Sequence, residues 1–126
     1  NHPFLSRLAT AKSGQFTFSG SWSVKLKPQG FHVNHVHPEG WISSASYISL
    51  PDTMSDQASQ SGCIKFGESA LMLGEREVVE RVIHPAAGQL VLFPSYTWHG
   101  TYAFEGDTAD FRLTAPFDVV PVREPK

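Results

Sequence analysis

Gly30-Phe31-His32-Val33-Asn34-His35-Val36-His37-Pro38-Glu39-Gly40-Trp41 carries three of the chain's six histidines within six residues. Side chains two apart on an extended strand point to one face. His35 and His37 can therefore converge on one point while Val36 turns away. Two imidazoles on one strand are half of a metal site, and neutral imidazole suits zinc, iron, copper or nickel. The other half must come from a distant segment. His99, in Phe93-Pro94-Ser95-Tyr96-Thr97-Trp98-His99-Gly100, is the best candidate. The same parity turns His32 away from the pair. Glu39 shares the phase of His37 and is the alternative to it as a ligand, although Pro38 and Gly40 interrupt the strand on either side. His2 falls in a terminal segment, and His84, before Pro85, reads as a turn residue.

Working outward, the pattern is that of short strands. Phe16 and Phe18, then Trp22, Val24 and Leu26, alternate with polar neighbours, the period of a half-buried strand. Lys27-Pro28-Gln29-Gly30 is a turn. Residues 31–37 form the next strand, and 41–50 a long one closed by Pro51-Asp52. Residues 52–61 are an exposed loop and 67–77 are ambiguous between helix and loop. Further strands fall at 62–66, 78–83, 89–93, 97–104 and 110–117. Residues 1–14 form a short helix or an arm, and 121–126 a frayed tail. About eight strands and little helix argue for an all-β sandwich or barrel, one domain over 1–126 without internal repeats. A jelly roll is the version that brings the strands of His35, His37 and His99 to one mouth.

Composition narrows the functional classes. At 126 residues the chain can bury its own core, and 40% apolar with 17% charged residues is ordinary for a globular protein. A net charge of −2 and a pI near 6.3 offer no basic field, so nucleic acid is not an expected partner. No run of 18 apolar residues exists, so no membrane span is expected. The single cysteine, Cys63, excludes an internal disulfide and fits a reducing, cytoplasmic setting. Asn1-His2-Pro3-Phe4 has neither a starting Met nor a signal-peptide pattern, as expected of a piece of a longer chain.

Four stretches together resemble a bacterial branch of the 2-oxoglutarate/Fe(II)-dependent oxygenases. They are Trp22-Ser23-Val24-Lys25-Leu26; His35-Val36-His37-Pro38-Glu39-Gly40-Trp41-Ile42-Ser43-Ser44; the run from Pro85 to Gly100; and Phe111-Arg112-Leu113-Thr114. The resemblance extends from about Phe16 to Asp118 and is most specific from Gly88 to His99. It implies a double-stranded β-helix, a cupin-like variant of the jelly roll. It also implies Fe(II) held by a His-x-Asp/Glu pair and a distal His, with a later Arg on the far carboxylate of 2-oxoglutarate. Position by position, His35 matches the first ligand, His99 the distal ligand and Arg112 the anchor, with Thr114 where the pattern often has Ser. The implied reaction consumes O2 and 2-oxoglutarate, releases succinate and CO2, and hydroxylates a second substrate, which the motifs do not identify: a small molecule, a protein side chain or a glycan.

His37 departs from the pattern, because a carboxylate is usual two residues after the first ligand. One carboxylate and two histidines leave Fe(II) with a net +1, whereas three neutral histidines leave +2. The alternatives therefore stay open: a cupin-type three-His metalloprotein running a cosubstrate-free dioxygenase or isomerase reaction, zinc hydration or hydrolysis chemistry, or a metal-free β-sandwich binding module. Trp41, Tyr47, Trp98 and Tyr102 are candidates for the pocket wall.

Overall fold

A computed structural model describes residues 2–11 and 13–122. A helix α1 (Pro3–Thr10) comes first, followed by strands β1 (Phe16–Ser21), β2 (Val24–Leu26), β3 (Ile42–Ser49), β4 (Ile64–Phe66), β5 (Arg81–Ile83), β6 (Leu90–Pro94), β7 (His99–Thr101), β8 (Arg112–Thr114) and β9 (Phe117–Pro121). Short 3-10 turns cover Asp52–Met54 and Gly74–Arg76. The helix begins with proline, which lacks the N–H that a first helical turn leaves unpaired. His2 caps it, its Nδ1 accepting from the Phe4 N–H at 3.2 Å.

The strands make two antiparallel sheets. One has the order β1-β9-β3-β8-β2, with β6 also paired to β3, and the other has the order β5-β4-β7. Strand β3 is the hub. It meets β9 at its start, β6 from Ile42 to Ser46, and β8 beyond Tyr47, where a bulge shifts the register. Its Ile-Ser-Ser-Ala-Ser run suits that crowding: Ser43 and Ser44 are buried with little bulk, and each hydroxyl finds a partner. The sheets pack face to face through Ile64 and Phe66 of β4 against Phe93 of β6, with Ala45, Ile83 and Val91 around them. The Phe66 and Phe93 rings meet edge to face at 5.1 Å. This is the mostly-β, double-stranded-β-helix-like arrangement expected, with one short helix.

Several expectations change, among them these. Residues 31–37 do not form a strand; the segment touches β7 through one isolated bridge, His35 to His99. The ladder breaks beyond it because the His32 N–H goes to the Thr101 hydroxyl, while the Thr101 N–H goes to the His32 carbonyl. The strand expected at 110–117 splits at Ala115-Pro116 into β8 and β9. Pro121, expected in a frayed tail, ends β9 opposite Phe16, and the Val122 N–H donates to the Gln15 carbonyl. Asn1, Lys12 and residues 123–126 lie outside the described residues. No helix among those described is long and apolar enough to cross a membrane.

Candidate metal centre

Two segments far apart in sequence supply the site. The His35 N–H donates to the His99 carbonyl at 2.9 Å and the His99 N–H returns to the His35 carbonyl at 3.0 Å. One step on, the His37 N–H donates to the Ser95 carbonyl. Gly100 makes the approach possible: a Cβ there would lie 2.4 Å from Asn34 Oδ1 and 2.9 Å from the His32 carbonyl. The three imidazoles of His35, His37 and His99 then bring one nitrogen each within 4.8 Å of the others.

The hydrogen bonds set the tautomers. His35 Nδ1 lies 2.7 Å from the Val33 carbonyl and His99 Nδ1 3.0 Å from the Thr97 carbonyl. A carbonyl only accepts, so each Nδ1 carries the hydrogen. His37 Nδ1 donates to Asp118 Oδ2 at 2.7 Å. In a neutral ring each Nε2 then keeps a lone pair. His35 Nε2 and His37 Nε2 are 3.0 Å apart, close enough to share one cation between them. Three imidazole nitrogens within 4.8 Å of one another are a donor set that fits a divalent ion. His99 is buried against Phe93, with ring centroids 4.5 Å apart. Burial holds its pKa down at about 4, outweighing the bond to Thr97, so it is neutral and ready to bind metal at pH 7.

These histidines open into a cavity of about 220 Å³ that is also lined by Arg112, Thr114, Tyr47 and His32. Arg112 and Thr114 sit on one face of β8 and both are buried. Only 2% of Arg112 is exposed, yet it has no ion pair among the described residues. Its one hydrogen bond, from Nη1 to the Gly62 carbonyl, is long at 3.4 Å, and its Nε has no partner. Burial lowers its pKa, as it must for a cation with no anion beside it.

Other residues fall elsewhere. Glu39 is exposed and is not in the three-nitrogen cluster. Trp41, Trp98 and Tyr102 do not line this cavity, whereas Tyr47 and Trp22 do. His32 was expected to face away, but strand parity does not apply to a segment that is not a strand. It lines the cavity, with its ring 6.4 Å from that of His35. Burial, then Arg112 and His35, push its pKa down. Asp118 was missed altogether. Ordinary β-patterning at Phe117-Asp118-Val119-Val120 gives no sign that its carboxylate is buried against an imidazole 81 residues away.

Comparison with known proteins finds one matching family and solved structures of similar fold. A protein family described as "Putative 2OG-Fe(II) oxygenase" matches residues 20–118. A crystal structure of an oxidoreductase of the 2OG-Fe(II) oxygenase family from Burkholderia pseudomallei has a TM-score of 0.63 at 11% identity, covering 86% of this chain and 46% of that one. A Pseudomonas putida prolyl-4-hydroxylase has a TM-score of 0.54 at 20% identity, covering 83% of this chain and 51% of that one. The chain spans about half the length of these two structures, and at such identities the likeness is one of fold. No curated protein matches it in sequence.

Proposed function

The chain belongs to the 2OG-Fe(II) oxygenase family that matches it, and from that premise we propose that it is an Fe(II)- and 2-oxoglutarate-dependent dioxygenase. In this reading His35, His37 and His99 hold Fe(II) through Nε2, and Glu39 takes no part. When bound, iron and 2-oxoglutarate supply O2 activation and oxidative decarboxylation to succinate and CO2.

The observation that carries the reading is Arg112. A buried guanidinium with no carboxylate partner among the described residues lines the same cavity as three convergent imidazoles. A guanidinium matches a carboxylate with two parallel hydrogen bonds. The Thr114 hydroxyl, two residues on, is available to the same anion. 2-Oxoglutarate has a carboxylate for this pair and a second carboxylate with a keto oxygen for the metal. A cavity of about 220 Å³ falls below the roughly 300 Å³ at which drug-sized pockets begin, which suits so small an acid. Apolar walls from Val24, Ile64 and Phe93 keep water away from the charges and strengthen their attraction. A cosubstrate-free three-His enzyme has no use for an unpaired buried arginine.

The test is anaerobic reconstitution with Fe(II), then addition of 2-oxoglutarate and O2 with succinate measured. Uncoupled turnover needs no second substrate. The wild type should bind about one iron and form succinate; Arg112→Ala should keep the iron and lose the succinate. Stoichiometric iron without any 2-oxoglutarate consumption would return the chain to the cosubstrate-free alternative.

A further inference from the structure

Asp118 is a buried carboxylate whose position the reading above leaves unexplained. It is 5% exposed, and its Oδ1 has no hydrogen-bond partner among the described residues. Its one hydrogen bond accepts the His37 Nδ1–H through Oδ2, at 2.7 Å. A carboxylate is seldom buried for one bond, since losing water costs it several kcal/mol. The backbone is arranged to bring the two together. Register pairs Asp118 with Ser43 of β3, and the Trp41 N–H donates to the Val119 carbonyl. The turn after His37 is therefore laid along β9. At Gly40 that turn passes so close that a Cβ would lie 3.3 Å from the Asp118 carboxyl carbon and 2.4 Å from Ser95 Oγ.

His37 is also where the chain departs from the pattern it resembles, in which a carboxylate binds the metal directly. We propose that Asp118 is the positioning carboxylate of the metal centre: through His37 it returns to the ion, one imidazole removed, the negative charge that the pattern places on it directly. Asp118 touches no reactant. It fixes the His37 tautomer, aims Nε2 at the ion and makes the imidazole a stronger donor. The inference rests on the three-His metal reading and adds to it a residue outside the cluster.

The experiment is a double-mutant cycle read by Co(II) binding to the metal-free protein, using affinity and the visible ligand-field bands. Asp118→Asn preserves an acceptor for Nδ1–H but removes the charge, so Co(II) should bind about 10–100-fold more weakly with shifted bands. In a His37→Asp background, where a carboxylate binds directly, the same Asp118→Asn change should cost nothing or tighten binding by relieving carboxylate repulsion. Unchanged affinity and bands in the His37 background, or an equal loss in both backgrounds, overturns the proposal. Melting of the metal-free proteins checks folding. Should the His37→Asp proteins not fold, the bands of cobalt-saturated Asp118→Asn decide: shifted bands support the role and wild-type bands overturn it. A wild type that binds no Co(II) sinks the metal reading itself, whereas a wild type that binds while Asp118→Asn is indifferent sinks only this assignment.

Discussion

Burying a guanidinium without a carboxylate beside it costs a fold several kcal/mol, and among the described residues Arg112 has no such partner and its Nε is unpaired. In the proposed reading that cost is borne by the ligand-free protein and relieved by the carboxylate of 2-oxoglutarate. Arg112→Met, similar in length but uncharged, should therefore stabilise the ligand-free protein by about 1–4 kcal/mol, read from urea unfolding, while abolishing 2-oxoglutarate-dependent succinate formation. A variant less stable than the wild type would mean that the guanidinium is structurally satisfied and not waiting for a ligand. Tyr47, lining the same cavity, gives a pH signature. Burial, opposed by Arg112, pushes its pKa from 10.0 up to about 12. The unfolded phenol ionises near pH 10 while the folded one stays neutral. Its contribution is thus complete below pH 10 and lost as pH rises toward 12, roughly 2–3 kcal/mol in all. Unfolding free energy measured from pH 9 to 12 should fall less steeply in Tyr47→Phe than in the wild type.

At the scale of elements, the site depends on how closely residues 32–37 lie on β7. Gly100→Ala would push a methyl into Asn34 Oδ1 and the His32 carbonyl, and the backbone carbonyl has little room to move. The expected cost is about 1–3 kcal/mol, together with weaker metal binding, because the bridge between His35 and His99 opens. Melting and Co(II) titration of Gly100→Ala read the two effects separately; unchanged cobalt affinity would mean that the bridge does not align the imidazoles. This contact also shows what was legible in the sequence. The His35/His37 spacing and the isolated His99 pointed to the three-nitrogen cluster, which the bridge between His35 and His99 brings together. Period-2 patterning marked β1 and β2, although Phe16 and Phe18 of β1 are exposed and only β2 shows the half-buried alternation. The fate of 31–37 was not legible. Its ladder ends because the His32 N–H takes a side-chain hydroxyl from Thr101, and nothing in the run around His32 signals a partner 69 residues away. The error on His32 followed from that one, as the burial of Asp118 followed from a register that no single strand encodes.

Across the molecule, the cavity lies between two sheets that share no strand, with His99 on one sheet, Arg112 on the other, and His35 and His37 on a segment belonging to neither. A metal bound by all three histidines would therefore act as a cross-link between the 35–37 segment and β7, closing a long loop in a small fold. Ligands that bind only the folded state stabilise it by mass action, by about 2.7 kcal/mol at a hundredfold excess over Kd. For a chain of this size that is a rise in Tm on the order of 10 °C. The rise should appear with Fe(II) under anaerobic conditions or with Co(II), vanish with a chelator, and be absent in His99→Ala and His37→Ala. Glu39→Ala should keep it in full, because Glu39 is exposed outside the cluster. A rise that survives His37→Ala but disappears in Glu39→Ala would transfer the third ligand to the carboxylate, and with it remove the reason for Asp118 to be buried where it is.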